Sequence, residues 1–175
     1  MHGDPRYPIG KFSGQPATDD RERERFLQDI QDTPGRLRAA VEGLSEWQLD
    51  TRYRDGGWSV RQVVHHVPDS HLNSYIRFKW ALTEDEPTIK PYYEDRWAEL
   101  ADSKSTPIEV SLSLLDSLHQ RWTNLLRSFK EEDWQKTLRH PELGIVSLDK
   151  MLALYAWHGR HHVAHITSLR ETRGW

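Results

Sequence analysis

Apolar residues recur every three or four positions from residue 108 to residue 129, and this spacing constrains the fold more than any other feature of the chain. An α-helix turns once in about 3.6 residues, so the pattern places its apolar side chains on one face. The positions concerned are Ile108, Leu112, Leu115, Leu118, Trp122, Leu125, Leu126 and Phe129. The segment is therefore predicted to be an amphipathic helix that buries one side against other helices.

A helix with a weaker version of this pattern is predicted to begin near Asp19 or Asp20 and to end near Gly43. Pro34 lies inside it. Because proline lacks a backbone N–H and its ring crowds the preceding turn, we expect Pro34 to kink this helix or to split it.

Two more helices are indicated by their start signals. Ser59 and Gln62 have the spacing of a capping box, which predicts a helix from Ser59 to about Thr83. Ser147 is a suitable N-cap for a last helix that reaches about Arg173. Four long helices predict an all-α protein with the architecture of a four-helix bundle.

The remaining segments are expected to be irregular. Residues 1–18 are rich in proline and glycine and are predicted to form an N-terminal arm. Residues 84–107 contain three prolines together with Tyr92, Tyr93 and Trp97, so they are predicted to form a long aromatic loop across one end of the bundle. Residues 140–144 predict a turn, within a short hairpin. The whole chain, residues 1–175, is expected to be one domain.

Composition excludes several classes of function. The net charge of −3 argues against a nucleic-acid groove, and no apolar run is long enough for a membrane span. We therefore expect a cytoplasmic protein that acts on a small molecule. The chain has no cysteine, so a metal site would have to use His, Asp, Glu or water. Its eight tryptophans fit either core packing or an aromatic wall around a pocket.

Four histidines lie between residues 158 and 165, inside the predicted last helix. Helical geometry places His158, His162 and His165 on the same stripe as Tyr155 and Ile166, so these rings face the core. Packed, hydrogen-bonded histidines would explain one such ring. Three on one stripe favour a metal, because neutral imidazole is a common ligand and the i, i+4 pair of His158 and His162 can bind one ion.

A further ligand must come from another helix, and the second helix offers His65, His66 and His71. On helical angles alone His71 lies near the centre of the apolar stripe, whereas His65 and His66 lie on its flanks. Pro68 falls between these residues and can rotate one half of the helix relative to the other. The pattern favours His71 but leaves the choice open.

Several segments together resemble the DinB superfamily, and within it the YfiT-like metal-dependent hydrolases of Bacillus-type bacteria. The segments are DGGWSVRQVVHH at residues 55–66, DSHLNSYIRFK at residues 69–79 and YAWHGRHHVAHI at residues 155–166, with YPIG at 7–10 and LHQRW at 118–122. Nearly the whole chain takes part in this resemblance. Pro68 departs from it, because related sequences usually have a small residue there.

The resemblance implies a bundle with up-down-down-up helix order, a homodimer, and one divalent metal ion per chain, Zn²⁺ or Ni²⁺. Position by position, it implies that the ligands are His66, His158 and His162. It thus favours His66 over His71.

Around these ligands we expect a supporting set of residues. His65 and His161 would be neighbours or hydrogen-bond donors to the ligands, and His165 would pack behind the site. Asp69, one turn after His66, either orients that ring or is an exposed helical residue. His119 and His140 lie outside the histidine motifs, and we expect both to be dispensable for metal binding.

Three functions are compatible with a three-histidine site that keeps one position open. The first is hydrolysis by metal-activated water, which matches the YfiT-like group. The alternative is thiol S-transfer to an electrophilic small molecule, as in the bacillithiol transferases among the relatives. The third is metal or ligand binding without catalysis. No residue is identified as a general base.

Overall fold

Four long helices dominate the computed structural model, which describes residues 4–175. They are α1 (Asp20–Val41), α3 (Val60–Thr83), α6 (Ile108–Arg127) and α8 (Leu148–Arg173). Four short helices lie in the connections: α2 (Glu46–Leu49), α4 (Glu94–Trp97), α5 (Ala101–Ser105) and α7 (Glu131–Trp134). A hairpin of β1 (Thr137–His140) and β2 (Gly144–Ser147) precedes α8. The predicted four-helix bundle is confirmed.

Capping side chains set the starts of three of the long helices, and the caps of α3 and α8 are the ones that the sequence predicts. The side chains of Asp19 and Ser147 each accept a hydrogen bond from the first turn of their helix. Ser59 and Gln62 form the complete capping box of α3. Gly174 ends α8 with a φ of 69°, in the left-handed region that favours glycine.

Contacts between α3 and α6 show that these helices run in the same direction. His65, near the start of α3, contacts Ser111, near the start of α6. Further along both helices, His71 contacts His119. Parallel neighbours need a long connection, which residues 84–107 provide.

Helices α1 and α8 are parallel to each other as well. Arg23 near the start of α1 bonds to Asp149 near the start of α8, and Arg170 near the end of α8 bonds to the carbonyl oxygen of Ala40.

The other two pairs of neighbouring helices run in opposite directions. Gln31 of α1 accepts a hydrogen bond from Arg127 at the end of α6, whereas Arg38 of α1 pairs with Asp116 earlier in α6. The order is therefore up-down-down-up, as the resemblance implies.

The prediction that Pro34 could split the first helix is wrong, because α1 continues through it to Val41. Proline removes only the N–H that would bond to the carbonyl oxygen four residues earlier, on Ile30. That oxygen instead lies 2.6 Å from Nδ1 of His119. The missing backbone bond is thus replaced by a bond from another helix.

A layer of histidines divides the apolar core into two clusters along the bundle axis. One cluster contains Ile30, Phe78 and Trp122, and the other contains Leu37 and Val63. In each long helix the sequence passes from one cluster to the other across the histidine level. The site is therefore enclosed by apolar packing above and below.

The predicted aromatic loop at residues 84–107 contains two helical turns, α4 and α5, and lies against the bundle. Gln62 of α3 donates a hydrogen bond to the carbonyl oxygen of Ala98 at 2.7 Å, and Tyr92 packs against Trp97. Among the described residues, none of the helices combines the length and apolar character that a membrane span requires.

Gly159 allows α1 and α8 to approach closely, which leads to a test of packing. A Cβ at this position would lie 2.4 Å from Oγ1 and 2.9 Å from Cγ2 of Thr33. We expect Gly159→Ala to lower the free energy of unfolding by about 1–3 kcal/mol, the usual cost of overpacking. Urea denaturation would measure the change.

Gly35→Ala is the matched control, because a Cβ added to this exposed helical glycine of α1 would meet no described atom within 4 Å. It should raise the free energy of unfolding by about 0.5–1 kcal/mol through helix propensity. Adding Thr33→Ala to Gly159→Ala should recover part of the loss. Equal stability of the two glycine variants would contradict this account of the α1–α8 contact.

Candidate metal centre

His66, His158 and His162 meet in the middle of the bundle. His66 lies on α3, while His158 and His162 are one turn apart on α8. One ligand atom from each ring can be chosen so that all three lie within 4.8 Å of one another. Antiparallel packing of α3 against α8 brings the three rings to one point, although 92 positions separate His66 from His158.

The donor atoms fit a divalent metal ion. Nε2 of His66 lies 3.3 Å from Nε2 of His158. Two nitrogens bound tetrahedrally to zinc at about 2.0–2.1 Å would be about 3.3 Å apart. The spacing of these two atoms is thus compatible with a shared ion.

Burial keeps these three rings in the neutral form that binds metals. It lowers the pKa of His66 from 6.5 to about 3, with a smaller effect from neighbouring histidines. The pKa values of His158 and His162 lie well below 6.5 for the same reasons. At neutral pH each ring therefore has one nitrogen with a free lone pair.

A cavity of about 450 Å³ opens onto the three histidines. Aromatic side chains form much of its wall, including Tyr53, Trp58 and Trp157. Trp58 packs on the ring of His66, with 4.6 Å between ring centroids. The tryptophans serve both in a pocket wall and in core packing. Trp58 and Trp157 line the cavity, whereas Trp122 is buried in the core.

The family model of the DinB superfamily matches residues 29–166 of the chain. The chain belongs to this superfamily.

Curated relatives of this DinB protein match it over almost its full length. A protein of Bacillus cereus (strain B4264) is 58% identical, with 98% of this chain and 99% of the relative covered. A protein of Bacillus mycoides (strain KBAB4) has the same identity and coverage. Both carry the name "Putative metal-dependent hydrolase".

A solved structure, YfiT from Bacillus subtilis, superposes on this DinB protein with a TM-score of 0.94. The two are 47% identical, and the match covers 98% of each chain. YfiT is described as "a probable metal-dependent hydrolase with an unusual four-helix bundle topology". The similarity supports the four-helix bundle fold.

His71, which helical angles favoured as a ligand, lies behind the cluster of this DinB protein and does not replace His66 in it. Its Nε2 is 3.0 Å from Nδ1 of His158, on the side of that ring away from His66. His65 faces α6 instead, where it contacts Ser111 and the carbonyl oxygen of Thr106. The orientation of α3 about its own axis therefore decides which of these three histidines joins the cluster.

His161 and His165 flank the cluster on α8. His165 contacts His162 and the carbonyl oxygen of Arg6 in the N-terminal arm, and it also lines the cavity, so it lies beside the cluster rather than behind it. His161 stacks on Trp157, and its Nδ1 is buried without a hydrogen-bond partner among the described residues.

Asp69 makes no hydrogen bond with His66 in the described part of the chain, so the idea that it orients this ligand is not supported. Its carboxyl group is half-buried, and burial together with the nearby Asp102 raises its pKa to about 6.

Sequence reasoning missed three groups at the centre. Ser70 Oγ lies 3.4 Å from Nε2 of His158. Glu94 and Asp95, in the loop, are the carboxylates that line the cavity among the described residues. The aromatic character of the loop was a signal that it covers one end of the bundle, but not that it reaches the histidines.

Proposed function

We propose that this protein is a hydrolase that acts on a small molecule with a divalent metal ion bound by His66, His158 and His162. The convergence of three neutral imidazoles, two of them buried and that of His158 half-buried, on a cavity is the observation that carries the proposal. The names of the Bacillus relatives and of YfiT support it. Three protein ligands are typical of catalytic rather than structural sites.

A metal ion with this donor set would supply Lewis acidity and make water nucleophilic near neutral pH. The chain itself contributes orientation, exclusion of solvent and proton transfer. The rings of Tyr53, Trp58 and Trp157 limit bulk water in the cavity and offer flat surfaces to an organic substrate. Glu94 and Asp95 are candidates for accepting a proton there.

We propose Zn²⁺ or Ni²⁺, one per chain, as the ion, because both bind well to nitrogen-rich sites. We also propose that the protein forms a homodimer and works in the cytoplasm. The dimer is supported by Leu72, Ile76 and Trp80, which recur every fourth residue on α3 and are each 38–39% exposed. Such an exposed apolar stripe is typical of an interface.

The proposal is tested by loading the purified protein with zinc or nickel and assaying ester and amide substrates with and without a low-molecular-weight thiol. We expect product formation that needs the metal, does not need the thiol, and stops on chelation. Consumption of an electrophile only when thiol is present would instead assign S-transfer. Protein that binds neither ion would contradict the metal centre itself.

A further inference from the structure

Three imidazoles, of which those of His71 and His119 are buried, form a continuous chain from the candidate ligand His158 to helix α1. Nδ1 of His158 lies 3.0 Å from Nε2 of His71, and Nδ1 of His71 lies 2.8 Å from Nε2 of His119. Nδ1 of His119 lies 2.6 Å from the carbonyl oxygen of Ile30. His71 and His119 are 0% and 2% exposed, so solvent does not compete for these contacts.

The direction of every hydrogen bond in this chain follows from its last member. A carbonyl oxygen only accepts, so Nδ1 of His119 must donate to Ile30. A neutral ring has one N–H, so Nε2 of His119 accepts from Nδ1 of His71. By the same step, Nε2 of His71 accepts from Nδ1 of His158. Nε2 of His158 then has a lone pair, and it points to His66.

Pro34 leaves the terminal acceptor of this chain available. In an uninterrupted helix the N–H of residue 34 would donate to the carbonyl oxygen of Ile30. Proline has no N–H, and α1 nevertheless continues through this position. The carbonyl oxygen of Ile30 is therefore free to accept from His119.

A shorter chain follows the same logic at His162. Nε2 of His165 lies 3.3 Å from the carbonyl oxygen of Arg6, and Nδ1 of His165 lies 3.4 Å from Nδ1 of His162. The Arg6 oxygen requires His165 to donate from Nε2. His165 then accepts from Nδ1 of His162, which leaves the lone pair of His162 on Nε2.

We propose that His71, His119 and His165 are positioning residues that hold His158 and His162 in the Nδ1–H tautomer, with both Nε2 lone pairs directed to the metal position. The role toward metal rests on the proposed function, whereas the tautomers are properties of the protein itself. A free neutral imidazole exchanges between two tautomers, and only one of them presents Nε2 as a ligand. If the tautomer is already fixed in the metal-free protein, the ring does not have to change tautomer when the ion binds.

The first test reads the tautomers directly. Two-bond ¹⁵N–¹H correlation spectra of the metal-free and zinc-loaded full-length protein would show which ring nitrogen of each histidine carries hydrogen. We expect Nδ1–H at His71, His119, His158 and His162, and Nε2–H at His165, in the metal-free protein. An Nε2–H tautomer at His158 or His162 in that sample would overturn the proposal.

The second test breaks the two chains separately, so that each serves as the control for the other. His119→Leu removes the acceptor of His71 and should allow mixed tautomers at His71 and His158 but not at His162. His165→Leu should affect His162 but not His158. Each variant should bind zinc about 10–100-fold more weakly, the usual effect of losing a group that supports a ligand.

His119→Gln is the conservative variant, since its amide oxygen can accept from His71. It should keep the tautomer of His158 and recover most of the zinc affinity that His119→Leu loses. Loss of stability in His119→Leu with an unchanged His158 tautomer and unchanged zinc affinity would show a purely structural role and overturn the proposal.

Failure of the proposed function would look different. If the wild-type protein has the expected tautomers and binds zinc with the expected dependence on His119 and His165, but hydrolyses nothing, the positioning role stands and the hydrolase assignment fails.

Discussion

Alanine at His66, His158 or His162 is expected to remove almost all bound metal and, with it, hydrolytic activity. Each substitution deletes one of the three donor atoms of the cluster. Loss of a group that only supports a ligand lowers metal affinity by up to about 100-fold, so the loss of a ligand itself should lower it further. Metal content after gel filtration and a zinc competition titration would measure the effect. Circular dichroism would check that each variant stays helical.

The same series provides its own controls. His140 lies on β1 and bonds to backbone N–H groups of its own turn, so His140→Ala should keep full metal content. His71→Ala should be intermediate, because its ring contacts His158 without joining the cluster. If His71→Ala lost all metal while His66→Ala kept it, the ligand assignment would be wrong and the helical-angle prediction right.

Acid is expected to destabilise the metal-free protein strongly below pH 6.5. Burial lowers the pKa values of His119, His161 and His165 to about 4 and that of His66 to about 3, whereas an unfolded chain has the ordinary 6.5. Between these values the unfolded state binds more protons, so stability rises with pH. The stabilisation is complete above pH 6.5 and is lost as the pH falls towards 4.

Each such histidine changes the free energy of unfolding by about 1.4 kcal/mol per pH unit in this window. Asp69 acts in the opposite sense, because its pKa is raised to about 6, but it is a single group. Urea denaturation of chelator-treated protein at pH 7.5 and pH 5.0 should therefore show a much lower midpoint at pH 5.0.

A variant that removes one titrating group is the control for this pH dependence. His119→Leu should reduce the slope of stability against pH by about 1.4 kcal/mol per unit, whatever its effect on stability at pH 7.5. Equal midpoints for the wild-type protein at the two pH values would show that the buried histidines do not remain neutral in the folded state.

Local features of the sequence predicted most of the fold. The capping residues Ser59 and Ser147 act within one turn of their helices, so neighbouring residues are enough to locate the helix starts. Apolar spacing likewise located α6, because a helix that buries one face has apolar residues every three or four positions. The prediction that Pro34 could split α1 was wrong, because the destabilisation caused by a proline inside a helix depends on whether another helix can bond to the carbonyl group that it leaves free.

The ligand set was open to sequence reasoning only in part. The i, i+4 spacing placed His158 and His162 on one face of α8, and this follows from helix geometry alone. The choice between His66 and His71 could not be made in the same way. Both are buried on α3, and only the contact with α8 shows that His66 joins the cluster while His71 lies behind it.

His119 shows most clearly what the tertiary structure decided. It is a lone histidine in an amphipathic helix and lies outside the histidine motifs, so the sequence alone predicts that it is dispensable for metal binding. The parallel packing of α3 and α6 brings it to His71, and the antiparallel packing of α1 supplies the carbonyl oxygen of Ile30. Periodicity and caps determined which segments are helices, because those interactions are local. The direction of the hydrogen bonds across four helices depends on contacts between residues 48, 87 and 89 positions apart, which no local pattern encodes.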